Sequence, residues 1–235
     1  MRYAICFTPP VHDPLSIAAA AWLGRNVYSG DPVEPPVACN LAKQDLAYHT
    51  AMPRRYGFHA GLKVAFGINP ETNETALLKA LMRFSGTVAP FQIPALEIAR
   101  LGDFYGLVPS APSEAMNFLA ASVVHEFDRF RSPLSDAEIE RRDPDGLTAP
   151  QFANLHRWGH PYVMDEFRFH MTLTGPVGPK DAPRIEKALR ETFDAALDKP
   201  VSVSNLALFV EEERGSPFRV HSLHPLGKVA ARKIA

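Results

Sequence analysis

Hydrophobic and polar positions along the chain fall into short blocks with firm boundaries. Met1 to Phe7 is rich in β-formers and reads as a strand. Asp13-Pro14 supplies a helix cap followed by proline at the first helical position. Leu15, Ala18, Ala19 and Trp22 follow at helical spacing, and Gly24 stops the run. Asn26 to Thr50 is punctuated by proline and reads as irregular. Tyr56 to Phe66 predicts a strand, and Glu71 to Phe84 a helix with Leu77, Leu78, Leu81 and Phe84 on one face. Two strand-like segments, Phe91–Ile98 and Phe104–Val108, follow with Gly102-Asp103 between them.

A second series begins after a helical insert. Met116, Leu119, Ala120, Val123, Val124 and Phe127 form an unbroken helical stripe within Ser113 to Phe130. Ser135 with Glu138, and Thr148 with Gln151, each match a capping box and predict two shorter helices. Phe167 to Val177 then reads as a strand. Asp181 to Leu197 reads as a helix with Ile185, Leu189, Phe193 and Leu197 on one side, and Val201–Val210 with Phe218–Leu223 as a hairpin around Gly215. Strand, helix and hairpin therefore occur in that order twice, from Tyr56 and from Phe167. A two-copy duplication of this kind predicts an α+β fold with two related lobes and the paired strands central; solenoids need three or more repeats.

The first strand of each copy carries the sharpest chemistry. One reads Phe58-His59-Ala60-Gly61-Leu62-Lys63 and the other Phe169-His170-Met171-Thr172-Leu173-Thr174. Side chains alternate across a strand. His59, Gly61 and Lys63 then share one face opposite Phe58, Ala60 and Leu62, while His170, Thr172, Thr174 and Arg168 share one opposite Phe169, Met171 and Leu173. Residues two apart lie about 6.6 Å from each other, so a histidine and a hydroxyl can reach two sides of one phosphate. Histidine titrates near neutral pH. Two imidazoles facing one phosphodiester can thus act as base and acid, each proton transfer contributing roughly 10²–10⁴-fold. A lone histidine on a strand is usually structural; the matched pair in matched surroundings is what shifts the balance to His59 and His170 as catalytic residues.

Composition narrows the ligand. The 235 residues carry 25 Lys+Arg against 26 Asp+Glu, a formal charge of −1. A protein that coats nucleic acid draws on a clear basic excess, whereas one oligonucleotide end or a small phosphate ester needs none. The apolar run Ile17 to Leu23 is far short of a membrane span, and nothing near Met1 resembles a signal sequence. Two cysteines, Cys6 and Cys39, without a CxxC pattern fit a reducing compartment and argue against a thiolate metal cluster. The expectation is a cytoplasmic protein. No Walker loop, GxGxxG or GxSxG occurs, which leaves triphosphate, dinucleotide and serine-hydrolase chemistry without support.

The segments Tyr56 to Lys63 and Phe167 to Thr174 resemble the paired His-x-Thr/Ser motifs of the two-histidine (2H) phosphoesterase superfamily. Leu155 to Gly175, including Trp158-Gly159-His160-Pro161-Tyr162-Val163, is similar to a branch found in phosphonate-utilisation operons. The resemblance spans nearly the whole chain. It implies a metal-independent cyclic phosphodiesterase with no cofactor. The implied architecture is one bilobal domain over residues 1–235 with pseudo-symmetric lobes of about 1–110 and 111–235, each an antiparallel sheet with flanking helices around a cleft, with room for strand exchange. Implied substrates are 2′,3′-cyclic nucleotides, RNA ends or cyclic ribose phosphates, and a monomer is expected. Gly61 departs from the pattern, since the family has Thr or Ser there. One phosphate-binding hydroxyl is missing, a change of roughly 1.5–3 kcal/mol if nothing replaces it.

Around the histidines, Thr172, Lys63, Arg168, Thr174, Tyr56 and the Gly61 N–H are the candidate substrate-binding groups. Lys63 and Arg168 are equally readable as solvated charges, Tyr56 as packing, and Trp158 with Tyr162 as a stacking platform or as core. His156 and His160 have zinc-pair spacing but no third ligand in sight, and His221 and His224 read as structural. Two rival functions stand beside hydrolysis. One is a non-catalytic phosphate-ligand or RNA-end binder, motivated by Gly61; the other is RNA ligase-like transesterification run backwards.

Overall fold

The computed structural model describes residues 1–36 and 41–227. Cys39 lies outside them, and Cys6 is a free, buried thiol. The chain runs β1 (Arg2–Phe7), α1 (Pro14–Leu23), α2 (Lys43–Tyr56), β2 (Ala60–Phe66), α3 (Glu74–Ser85), β3 (Phe91–Ile93), β4 (Leu96–Leu101), β5 (Phe104–Pro109), α4 (Glu114–Phe127), α5 (Asp136–Glu140), α6 (Ala149–Trp158), β6 (Met171–Thr172), α7 (Ala182–Leu197), β7 (Val201–Val203), β8 (Asn205–Glu211) and β9 (Arg219–Pro225). The repeated order expected from the sequence is therefore present as β2-α3-β3-β4-β5 and β6-α7-β7-β8-β9.

The sheets show how the copies interlock. One has the order β2-β1-β8-β9, another β4-β5-β6, and β3 pairs with β7. Each motif strand thus completes a sheet whose hairpin comes from the other copy, and the equivalent short strands β3 and β7 pair antiparallel with each other. All pairings are antiparallel, and the fold class is α+β. A single cut near residue 110 does not separate these sheets, because all three draw on both halves.

One contiguous core joins them. Ile5, Phe7, Leu62, Leu107, Met171, Leu206 and Leu208 point into it from the strands, and Trp22, Leu77, Phe127, Leu189 and Phe193 from the helices. The outer face of the four-stranded sheet carries a smaller cluster of Ala4, Cys6, Ala207, Phe209, Phe218 and Val220. Helix α4 buries the six stripe residues expected from its period and is capped by Ser113. Both capping boxes form, with the Ser135 N–H donating to Glu138 at 3.1 Å and the Thr148 N–H to Gln151 at 3.2 Å.

Four expectations change. Val201–Val210 is two strands and not one, β7 pairing with β3 while β8 pairs with β1 and β9. Asn26 to Thr50 is not irregular throughout, because α2 begins at Lys43 and runs through the residue expected to open a strand, Tyr56. The segment Phe91–Ile98 is two strands, broken at Pro94, which has no N–H for a ladder. The second motif strand is only Met171–Thr172. Beyond it the N–H groups of Leu173 and Thr174 both donate to the Tyr105 carbonyl, at 2.9 and 3.2 Å, so the ladder and its alternation end there.

Candidate active site

Each histidine sits immediately before its motif strand, held by local backbone. Helix α2 ends at Gly57, whose φ of 77° places it in the left-handed region. An added Cβ there would lie 2.2 Å from the Val27 side chain, so only glycine fits. The turn is fixed next by Thr8, whose hydroxyl donates to the Phe58 carbonyl at 2.8 Å. His59 then places its Nδ1 3.0 Å from the Gly57 carbonyl and its ring 5.1 Å from that of Phe209 on β8.

The second copy repeats the device. His170 places Nδ1 2.9 Å from the Arg168 carbonyl, its ring is 6.0 Å from Phe104 at the start of β5, and Trp22 pins the strand by donating to the Leu173 carbonyl at 2.8 Å. A carbonyl can only accept. In both residues Nδ1 therefore carries the proton, and Nε2 is left basic and without a hydrogen-bond partner among the described residues. Burial lowers the pKa of His59, the bond to Gly57 partly opposes this, and the charge of a protonated His170 lowers it further. The two rings are near enough to sense each other's charge.

The other expected groups divide. Gly61 is exposed beside His59, and nothing lies within 4 Å of where its Cβ would be. Thr172 is half-buried and pairs with Gly106 across the sheet. Tyr56 stands at the end of α2, 38% exposed, stacked 5.5 Å from Phe218 and bordering the same space as His59 and Gly61. Lys63 is buried, with its ammonium 2.8 Å from Asp128 at the end of α4. The β2 register slips by one residue between Gly61 and Lys63, yet both line the pocket of His59, with the Lys63 ammonium committed to Asp128. Arg168 folds back onto its own loop, donating to the carbonyls of Asp165 and Phe167 at 2.6 and 2.7 Å. Thr174 is a correction: it is buried at 1% exposure and its hydroxyl accepts from the Tyr105 N–H at 2.9 Å, a structural bond away from any ligand.

The sequence reading missed the group that borders this site on its far side. A cavity of about 580 Å³ is lined by Arg2, Arg55, Arg141, Arg142, Arg214 and His160, and shares Tyr56 and Ala65 with the pocket of His59. His160 is no zinc ligand here: its Nδ1 accepts from Arg142 at 2.6 Å, and His156 packs on Phe152. Burial, Arg142, His170 and Lys63 together bring its pKa down to about 3, so it is neutral with its proton on Nε2. Arg2 and Arg55 are both held by the buried carboxylate of Glu211. No signal in spacing could have gathered these residues, which come from five separate stretches. Tyr162 lines the cavity, while Trp158 packs edge-on against His125 and forms no platform with it. His221 pairs with Glu74 and His224 with Ser222, as structural residues do.

Among the described residues no three or more His, Cys, Asp or Glu side chains are grouped to hold a metal ion, and no helix is long and apolar enough to cross a membrane. Residues 61–219, which include Gly61, His160 and His170, match a family described as a protein of unknown function (DUF1045). The chain belongs to that family. This DUF1045 chain is 37% identical over 92% of its length to a protein of Janthinobacterium sp. (strain Marseille) named ribose 1,5-bisphosphate phosphokinase PhnN. It is 33% identical over 94% to one of the same name from Laribacter hongkongensis (strain HLHK9). The DUF1045 chain spans only 49% and 50% of those proteins. Among solved structures it is similar to a phosphoesterase at 12% identity over 96% of this chain and 98% of that one, with a TM-score of 0.43. A protein of Thermus thermophilus aligns at 18% identity over 97% and 100%, TM-score 0.46, and E. coli LigT with 3′-AMP at 12% over 96% and 98%, TM-score 0.42.

Proposed function

We propose that His59 and His170 together form the active site of a phosphodiesterase that opens a cyclic or internal phosphate ester. The observation that carries this is the matched pair of Nδ1–H bonds to the carbonyl two residues back. Both imidazoles are fixed in the tautomer that leaves Nε2 for a proton in flight. His59, held neutral by burial, takes the proton from water or a ribose hydroxyl. His170, when protonated, gives one to the leaving oxygen, and Thr172 and the Gly61 N–H hold phosphoryl oxygens. The reaction as proposed runs on protein groups alone. A phosphorylated ribose or 2′,3′-cyclic nucleotide fits as substrate. The resemblance to a phosphonate-operon branch and the ribose bisphosphate in the longer relatives' name both support ribose ester chemistry. The chain spans about half of those relatives and has no Walker loop to cradle a triphosphate, so the kinase activity in their name is not proposed for it.

Purified protein is expected to open 2′,3′-cyclic AMP or a cyclic ribose phosphate in EDTA. Because the pKa of His59 is lowered from 6.5, the neutral base persists as pH falls. The acid limb of kcat/KM then lies below pH 6.5, and a basic limb exists because a general acid must be protonated to act. A rate that only rises with pH, or that EDTA abolishes, contradicts the scheme.

The missing hydroxyl at Gly61 supports a second reading, a phosphate-ligand or RNA-end binder without turnover. Gly61→Thr separates the two, since the open space around Gly61 accepts the side chain. If the protein is an enzyme, the added hydroxyl raises kcat/KM by roughly 10-fold or more. A binder stays silent and only changes affinity.

A further inference from the structure

A single phosphodiester does not account for the cavity beside the histidines. Three of its arginines, Arg141, Arg142 and Arg214, have no ion pair with a carboxylate among the described residues. Glu138, the carboxylate in its wall, is turned to its own helix at Ser135. Arg142 is partly withdrawn from water yet spends its contact on a neutral imidazole, His160. Five arginines line the cavity with Glu138, and Glu211 pairs two of them, so cations outnumber carboxylates there, an excess that is costly unless an anion arrives to share it. Arginine forks match phosphate oxygens in pairs.

Building on the phosphodiesterase reading, we propose that this cavity holds a second phosphate of the substrate, remote from the reacting one. The substrate is then a small ester carrying two phosphates. Tyr56 and Ala65 line both the cavity and the pocket of His59 and Gly61, so the two adjoin and one molecule is proposed to reach both. A volume of about 580 Å³ is that of a small-molecule site. The whole chain carries a formal charge of −1, without the basic excess on which binding along a polynucleotide draws. Neutral His160, with a proton on Nε2, adds a donor that stays a donor across the working pH range.

The test is calorimetry on His170→Ala protein, whose turnover is slowed by roughly 10²-fold or more. It is titrated with 2′,3′-cyclic AMP and with the same nucleotide bearing a 5′-phosphate. The added phosphate is expected to tighten binding by about 10- to 100-fold. Arg142→Gln and, separately, the exposed Arg214→Gln are expected to cut that ratio by about 10-fold. Equal affinities for the two nucleotides overturn the proposal, as does a ratio that neither arginine variant changes. Tighter binding of an RNA fragment ending in a cyclic phosphate also overturns it, in favour of a macromolecular ligand. Absence of turnover in the unaltered protein sinks the phosphodiesterase reading alone, because the affinity ratio is read from binding.

Discussion

His59→Ala and His170→Ala are each expected to slow opening of a cyclic phosphate by roughly 10²-fold or more, with the fold intact. Each ring is half-buried at the end of a turn, and each makes one hydrogen bond to its own loop. Circular dichroism and the melting temperature should therefore barely move. The two residues serve one proton circuit, so the double variant should be little worse than either single one. Steady-state rates for the three variants, measured beside their melting curves, decide the matter. Undiminished rates in both single variants would exclude the mechanism. Losses that multiply would show two independent contributions instead of one shared circuit.

Glu211→Ala is expected to cost about 3 kcal/mol of folding stability. The carboxylate is fully buried, accepts from Arg2 and Arg55, and takes the Gly215 N–H at 3.1 Å. Without it two guanidiniums face each other; their side chains are 32% and 35% exposed and partly rehydrate, which holds the cost to the lower part of the range for broken buried pairs. Burial alone would raise the pKa of Glu211, but Arg2, Gly215 and Arg55 outweigh it and bring it to about 2, against an ordinary 4.5. The stabilisation is complete above the unfolded value and is lost as pH falls from about 4.5 towards 2. Urea midpoints of the two proteins should differ at pH 7 and converge in that acid window. A gap that stays constant down to pH 2 would mean the carboxylate's charge contributes nothing.

What could be read from the sequence, and what could not, follows from how each feature is encoded. The repeat order and α4 were legible because their apolar positions keep one period over many residues. Helix α2 was not, since its buried stripe is Leu46, His49, Thr50 and Pro53: the spacing is helical, but three of the four are not residues that a hydrophobic pattern counts. The histidines were found through alternation, which holds near the start of each motif strand. It fails at Thr174, where a shared carbonyl ends it, and it could not show that Lys63, on the side of His59, is tied to Asp128. The arginine cavity is assembled by tertiary folding from both ends and the middle of the chain, and no local pattern marks it.

The reciprocal exchange of strands has a consequence for assembly. The imidazole at residue 59 rests on Phe209, supplied some 150 positions later, and β6, which follows the ring at 170, pairs with β5 from the earlier copy. Neither motif has its supporting floor until the other half has been synthesised and docked. During translation the first copy must wait, with an unfinished sheet edge, for a partner emerging from the ribosome much later. Such delayed closure is slow and exposes sticky edges, so a prematurely terminated product offers half a proton circuit and a template for aggregation.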